Sequence, residues 1–209
     1  MINIVQDCKN KLNVKTVGII NVEGSTLARK TDYPIYIKVG REVSVAATKS
    51  FFHQVLNLIY YATLVAEKKQ SANMELIKEI RHNLLDTPRV VKECIAMVER
   101  PCEDLAKLIY NKESVYLLAL RESLAIAREA ALKIKELNYI HAEAMGACEM
   151  KHGPIALIAS DRPQETVVFL FILDNETFPL LMNSLDQMHS RKAYIVVVTD
   201  CKKRMDVEF

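Results

Sequence analysis

Runs of apolar residues come in two periods along this chain. Residues 15–22 (KTVGIINV), 34–39 (PIYIKV), 114–120 (SVYLLAL), 167–173 (VVFLFIL) and 193–199 (AYIVVVT) are short, rich in β-branched residues and bounded by turn formers. They predict buried strands. Between them the apolar positions recur at helical spacing. Ser25, after Glu23-Gly24, is a plausible N-cap for a short helix (TLARKTD), and a long helix is expected from about Ala46 to Glu67. Helices are further expected at about 74–86, 88–99, 103–111, 123–138 and 176–190, with the polar stretch 68–74 (KKQSANM) as a linker and Gly40 closing the second strand.

From residue 114 onward the order reads strand, helix, irregular loop with a short helix, strand, helix, strand. Strands that are apolar throughout and alternate with helices indicate a parallel sheet covered on both faces. Residues 1–67 read as the end of a similar unit. The expected fold is therefore α/β and doubly wound, with one incomplete and one nearly complete subdomain. The divisions fall at 1–68, 69–112 (a helical linker) and 113–209.

Charge adds exclusions. The 209 residues carry 28 basic and 26 acidic side chains, a net +2, without the basic bias of a nucleic-acid binder. No run of 18 apolar residues is present, and no apolar leader is read in the first residues (MINIVQDCKNK). Five widely spaced cysteines, Cys8, Cys94, Cys102, Cys148 and Cys201, form no Cys-x-x-Cys pair. The expectation is a reduced, cytoplasmic protein.

Candidate chemistry concentrates in residues 133–154 (KIKELNYIHAEAMGACEMKHGP). On a helix over 123–138, Ile126, Ala130, Ile134 and Leu137 would form an apolar stripe. Glu129, Lys133 and Glu136 would form a charged stripe beside it, with Lys133 partly buried and Lys135 facing solvent. This spacing fits an ordinary surface ion pair. It equally fits a carboxylate held beside a lysine and oriented as a base. His53, His82 and His189 fall on helix faces without companion ligands. His152 precedes Gly153-Pro154, which breaks any helix and leaves the imidazole in a loop. No metal-ligand spacing, nucleotide loop or Gly-x-Ser-x-Gly elbow occurs, so neither metal nor cofactor is expected.

The stretch from Glu129, EAALKIKELNYIHAEAMGACEMKHGPIAL, resembles the sugar isomerase (SIS) region of the glutamine–fructose-6-phosphate aminotransferase (isomerising) family, also called glucosamine-6-phosphate synthases. That family's pattern is close to E-G-A-L-K-[LI]-K-E, then Y-[IM]-H-[AS]-E, a small-residue run and E-L-K-H-G-P. Residues 15–54 resemble the family stretch that ends in a Gly-x-Glu-[IV]-[GS]-Val-Ala-[ST]-Thr-Lys turn, and IKEIRHNLLDTP resembles its linker helices. The likeness covers almost the whole chain in order.

The resemblance implies an SIS-type sheet and a set of roles. Glu136 would be the base that moves a proton between C1 and C2 of the open-chain sugar phosphate. Lys133 would support it, and His152 would assist ring opening in a neighbouring subunit's site. Val45 and Ala46 would line the sugar pocket. Fructose 6-phosphate or glucosamine 6-phosphate would be the ligand and a homodimer the assembly, with no nucleic acid and no membrane. The family reaction takes fructose 6-phosphate and glutamine to glucosamine 6-phosphate and glutamate, in amino-sugar synthesis. The family's Ser-Gln-Ser-Gly-Glu-Thr phosphate loop, Schiff-base lysine tail and glutaminase domain have no match in this sequence. Ala47 stands where the family usually has Ser, and Ala119-Leu120-Arg121 where it has Gly-Arg-Gly. The alternative implied is an inactive SIS module that binds or senses phosphosugars.

Overall fold

The protein is described by a computed structural model covering residues 1–71, 73–158, 165–174 and 176–200. Cys201 and the remainder of the expected second subdomain beyond residue 200 lie outside the described residues. The chain divides into two compact units, Met1–Glu99 and Arg100–Phe209.

The first unit opens with helix α1 (Ile2–Asn10), which the apolar pattern did not single out. Strands β1 (Val17–Ile20) and β2 (Tyr33–Tyr36) pair in parallel, Val17 opposite Tyr33 and Ile20 opposite Tyr36. Both are shorter than their apolar runs. The connection carries α2 (Thr26–Lys30), and the Ser25 hydroxyl accepts from the Ala28 amide at 3.3 Å, the expected N-cap. Asp32 ties the two strand starts together. Its Oδ2 accepts from the Thr16 amide at 2.9 Å and the Thr16 hydroxyl at 2.7 Å, while Lys9 of α1 sits 3.2 Å from Oδ1.

Helix α3 (Lys49–Lys69) ends at Gln70 in the left-handed conformation. Helix α4 then runs without interruption from Met74 to Ile109. Three helices were expected over this span because Pro88 and Pro101 interrupt the pattern. A proline removes one ladder bond and crowds the preceding turn. Side chains on either side of Pro88 bond along the helix: Thr87 Oγ1 donates to the Asn83 carbonyl at 3.0 Å, and Arg89 reaches Asp86 and Glu93 at 2.8 Å each. Arg81 of α4 meets α3 through the Thr63 hydroxyl at 3.0 Å and Glu67 at 2.7 Å.

The second unit is a four-stranded parallel sheet in the order β4-β3-β5-β6. Strand β3 (Ser114–Ala119) leads to α5 (Ser123–Asn138), and β5 (Val167–Ile172) to α6 (Phe178–Ser190) and β6 (Tyr194–Thr199). Strand β4 (His141–Gly146) replaces part of the expected irregular loop. It pairs along its length with β3, from Ser114 opposite His141 to Ala119 opposite Gly146. Its sequence, HAEAMG, lacks the branched and aromatic residues that mark a strand, and pairing with β3 overrides that composition. Two 3-10 segments follow, Ala147–His152 and Pro154–Leu157.

Both faces of this sheet are covered, and the strand period shows it. On β3, Tyr116 and Leu118 join Val168, Leu170 and Ile172 beneath Leu181, Leu185 and Met188 of α6. Val115, Leu117 and Ala119 point the other way, with Val167 and Phe171, against Ala127 and Ala131 of α5. Successive side chains alternate between faces and every one is buried. Against the sheet, α5 presents alanines. The expected stripe is corrected in register: Ile126 is 47% exposed and Leu137 52%, whereas Ala127 and Ala131 are fully buried. A helix over a parallel sheet approaches most closely where its side chains are smallest.

Candidate functional site

Helix α5 displays its charged stripe as the spacing requires. Positions i, i+4 and i+7 fall on one side of a helix, so Glu129 and Glu136 bracket Lys133. The ammonium lies 2.7 Å from Glu136 Oε2 and 3.3 Å from Glu129 Oε1. The three side chains are 20–27% exposed, half-buried along the flank of the helix. The hydrogen bond that Lys133 donates to Glu136, reinforced by Glu129, raises the Lys133 pKa against the opposing pull of desolvation. Lys133 is therefore a cation across the neutral range. That suits it to hold a carboxylate in one orientation and unsuits it as a nucleophile. Among the described residues Glu136 Oε1 has no hydrogen-bond partner, so one lobe of the carboxylate is anchored and the other is available.

His152 ends the first 3-10 segment, exposed and without a hydrogen bond among the described residues. Gly153 follows with φ 153°, a conformation that side chains disfavour, and Pro154 starts the next segment. The break expected at Gly153-Pro154 falls between two 3-10 segments, so His152 ends a helical turn instead of lying in a loop.

The second unit does not bring His152 to Glu136. Helix α5 crosses from the carboxyl end of β3 to the amino end of β4, so its last turn, with Glu136, lies at the amino edge of the sheet. His152 follows the carboxyl end of β4. Six residues of strand separate the two edges, roughly 20 Å.

Val45 and Ala46 belong to the other unit. They sit in the turn between β2 and α3, Val45 87% exposed and Ala46 fully buried. The Ala46 amide donates to the Ser44 hydroxyl at 3.2 Å. Glu42 closes this turn, a role the sequence reading did not assign. Its Oε1 accepts from the amides of Thr48 at 2.8 Å and Ser50 at 3.2 Å, and its Oε2 accepts from the Ser50 hydroxyl. These donors hold the Glu42 carboxyl down at about 2. The available signal was an acid seven residues before the first residue of a long helix, where a carboxylate satisfies free amides.

His141 lies on β4, its Nδ1 2.7 Å from the Ser114 hydroxyl across the strand pair. Among the described residues no cluster of His, Cys, Asp and Glu could hold a metal ion, and no helix is long and apolar enough to cross a membrane.

This geometry accompanies a clear set of likenesses. The SIS domain family model matches residues 1–64 and 108–205. Over 192 residues the chain is 35% identical to the glutamine–fructose-6-phosphate aminotransferase (isomerising) of Vibrio cholerae, covering 92% of this chain and 31% of that protein. Over 209 residues it is 35% identical to the enzyme of the same name from Sulfurisphaera tokodaii, covering 99% of this chain and 33% of that one. Among solved structures, the C-terminal domain of glucosamine-fructose-6-phosphate aminotransferase from Francisella tularensis superposes with a TM-score of 0.90 at 27% identity, over all of this chain and 57% of that one. The chain thus spans about a third of the length of these curated relatives.

Proposed function

This chain belongs to the SIS domain family, and on that premise we propose that it is the sugar-phosphate-binding isomerase region of a glutamine–fructose-6-phosphate aminotransferase. The ligands are fructose 6-phosphate and glucosamine 6-phosphate. The observation that carries the reading is the anchored Glu136 carboxylate, 2.7 Å from a lysine that stays charged.

Aldose–ketose interconversion needs one base within reach of two adjacent carbons. The free lobe of Glu136 takes the proton from C1 of the open-chain sugar. The C–H electron pair forms the C1–C2 double bond while the C2=O pair moves onto O2, which gains a proton; the C1 hydroxyl then gives up its proton to solvent as the C1=O bond forms, and the same carboxylic acid returns its proton to C2. Lys133 holds the carboxylate in place during the transfer. His152 serves ring opening. Because the sheet separates His152 from Glu136, this reading places His152 in a second subunit's site and makes the working unit a homodimer. Val45 and Ala46 line the sugar pocket in the same reading, which keeps the divisions at 1–68, 69–112 and 113–209. It also keeps a cytoplasmic location, in line with the unpaired thiols of Cys8, Cys94, Cys102 and Cys148.

The test is a titration followed by melting temperature, with fructose 6-phosphate and glucosamine 6-phosphate against fructose and inorganic phosphate. Selective stabilisation by the phosphosugars is expected, since ligand bound only to the folded state raises stability. A cooperative melt indifferent to all four would sink the proposal. Selective stabilisation without turnover would favour a phosphosugar-binding module.

A further inference from the structure

Helix α5 and strand β4 enclose a groove that none of the roles above uses. It has a volume of about 430 Å³ and lies between Arg128, Ala131, Leu132 and Lys135 of the helix and residues 141–144 of the strand. Strand β4 ends the sheet order, so among the described residues one of its edges has no neighbour.

The register decides which main-chain groups lie on that edge. Successive residues of a strand turn their amide and carbonyl groups to opposite sides. His141 donates its amide to the Glu113 carbonyl at 3.2 Å. Residues 141, 143 and 145 therefore bond to β3, and the groups of Ala142, Ala144 and Gly146 face outward. Ala142 is buried in the floor of the groove, and its outward groups have no partner among the described residues. Main-chain groups sheltered from water without a partner cost free energy that a paired strand recovers. Exposed edges are commonly blunted by a bulge, a proline or a lysine. Strand β4, HAEAMG, has none of these and keeps unbroken register with β3 over six residues.

The rim of the groove is cationic. Arg128, Leu132 and Lys135, at i, i+4 and i+7, fall on one side of α5. Both cations are exposed, and neither has a hydrogen bond or ion pair among the described residues. They stand about 10 Å apart along the helix axis, a span that acidic side chains on one face of an extended chain can match. The Glu143 side chain shares the opposite sheet face with Tyr116 and leaves this charge unbalanced.

We propose that this groove takes an extended segment of a partner protein as an added strand beside β4, with acidic side chains of that segment meeting Arg128 and Lys135. Main-chain bonds to Ala142 and Ala144 supply affinity, and the two cations select the sequence. A second copy of this chain is a poor occupant. Pairing β4 with its own copy across a two-fold axis sets both copies' cations on one seam.

The test measures binding of labelled peptides to the intact chain by fluorescence anisotropy. The probes are a short peptide alternating valine and glutamate, its valine–lysine counterpart, and the acidic peptide N-methylated throughout so that it cannot pair as a strand. The acidic peptide should bind, the basic one about tenfold or more weaker, and the N-methylated one not measurably. Combining Arg128→Glu with Lys135→Glu removes no contact, so the variant should melt with the wild type and reverse the preference between acidic and basic peptides. In the complex, hydrogen exchange at the Ala142 and Ala144 amides should slow by about tenfold or more. No binding of the acidic peptide, equal binding to wild type and variant, or unchanged exchange at both amides would overturn the proposal. Undiminished binding of the N-methylated peptide would overturn it in favour of a plain anion site. Self-association that protects the same two amides would assign the edge to a second copy instead.

Discussion

Glu42 Oε1 accepts the Thr48 amide at 2.8 Å, and this one bond closes the turn that carries Val45 and Ala46. The carboxylate does the work of an N-cap from seven residues before α3 begins, so turn and helix start are fixed together.

Removing that acceptor should loosen both. Glu42→Ala should lower the melting temperature by a few degrees. The wild-type advantage should depend on pH with a definite sign. The folded-state pKa is about 2 against an ordinary 4.5. The stabilisation is therefore fully present above the ordinary value and is lost as pH falls toward 2. Melting curves of the two proteins from pH 7 down to pH 2 should converge at the acid end. A constant gap would show that Glu42 acts through packing instead.

Glu136→Gln should abolish isomerisation while leaving phosphosugar binding within a few-fold of wild type, because size and the acceptor toward Lys133 are kept. Lys133→Met should act differently. It removes the ammonium that anchors Glu136, so the carboxylate loses its fixed orientation and turnover should fall without being abolished. The raised lysine pKa adds stability at neutral pH that is lost in strong alkali, as pH climbs through the folded-state value. Turnover surviving Glu136→Gln would show that the base lies elsewhere.

Placing His152 and Glu136 at opposite edges of one sheet predicts complementation. His152→Gln and Glu136→Gln chains, each inactive in ring-opening-dependent turnover, should regain activity when mixed and allowed to exchange subunits. A mixed dimer contains one site with both wild-type groups. At equal ratio, recovery should approach about a quarter of wild-type activity, the product of simple mixing statistics and one intact site in two. No recovery despite demonstrated exchange would remove the cross-subunit role.

The sheet interior offers a control on the fold. Leu118 is completely buried beneath α6, and Leu118→Ala should cost about 3–5 kcal/mol in chemical unfolding. Leu85, 82% exposed on α4, should tolerate the same change within about 0.5 kcal/mol. Similar costs at both sites would mean that the two environments are misplaced.

The elements with a strong apolar pattern were legible in the sequence, and β4 and α1, which lack one, were missed. Strands β3, β5 and β6 and helix α5 coincide with their apolar patterns to within two residues. Strand β4 was not read because alanine, glycine and glutamate carry no strand signal; its place comes from pairing with β3. Helix α4 was read as three because proline is a local veto, whereas the surrounding turns carried the helix past both prolines. The site divided in the same way. The Glu129–Lys133–Glu136 spacing follows from helical geometry alone. The Glu42 clamp and the bridge from the Asn21 side chain to the Gly40 carbonyl join residues whose meeting depends on turns of no fixed period.

Ala127 and Ala131 form the seam where α5 rests on the sheet. Neither has a side chain long enough to yield, so the distance between helix and sheet has no slack. Each added methyl group there would act as a shim that tilts the helix and carries Lys133 and Glu136 with it. A graded series such as Ala131→Ser, Val and Leu is thus a mechanical dial on the position of a carboxylate that is itself left unchanged.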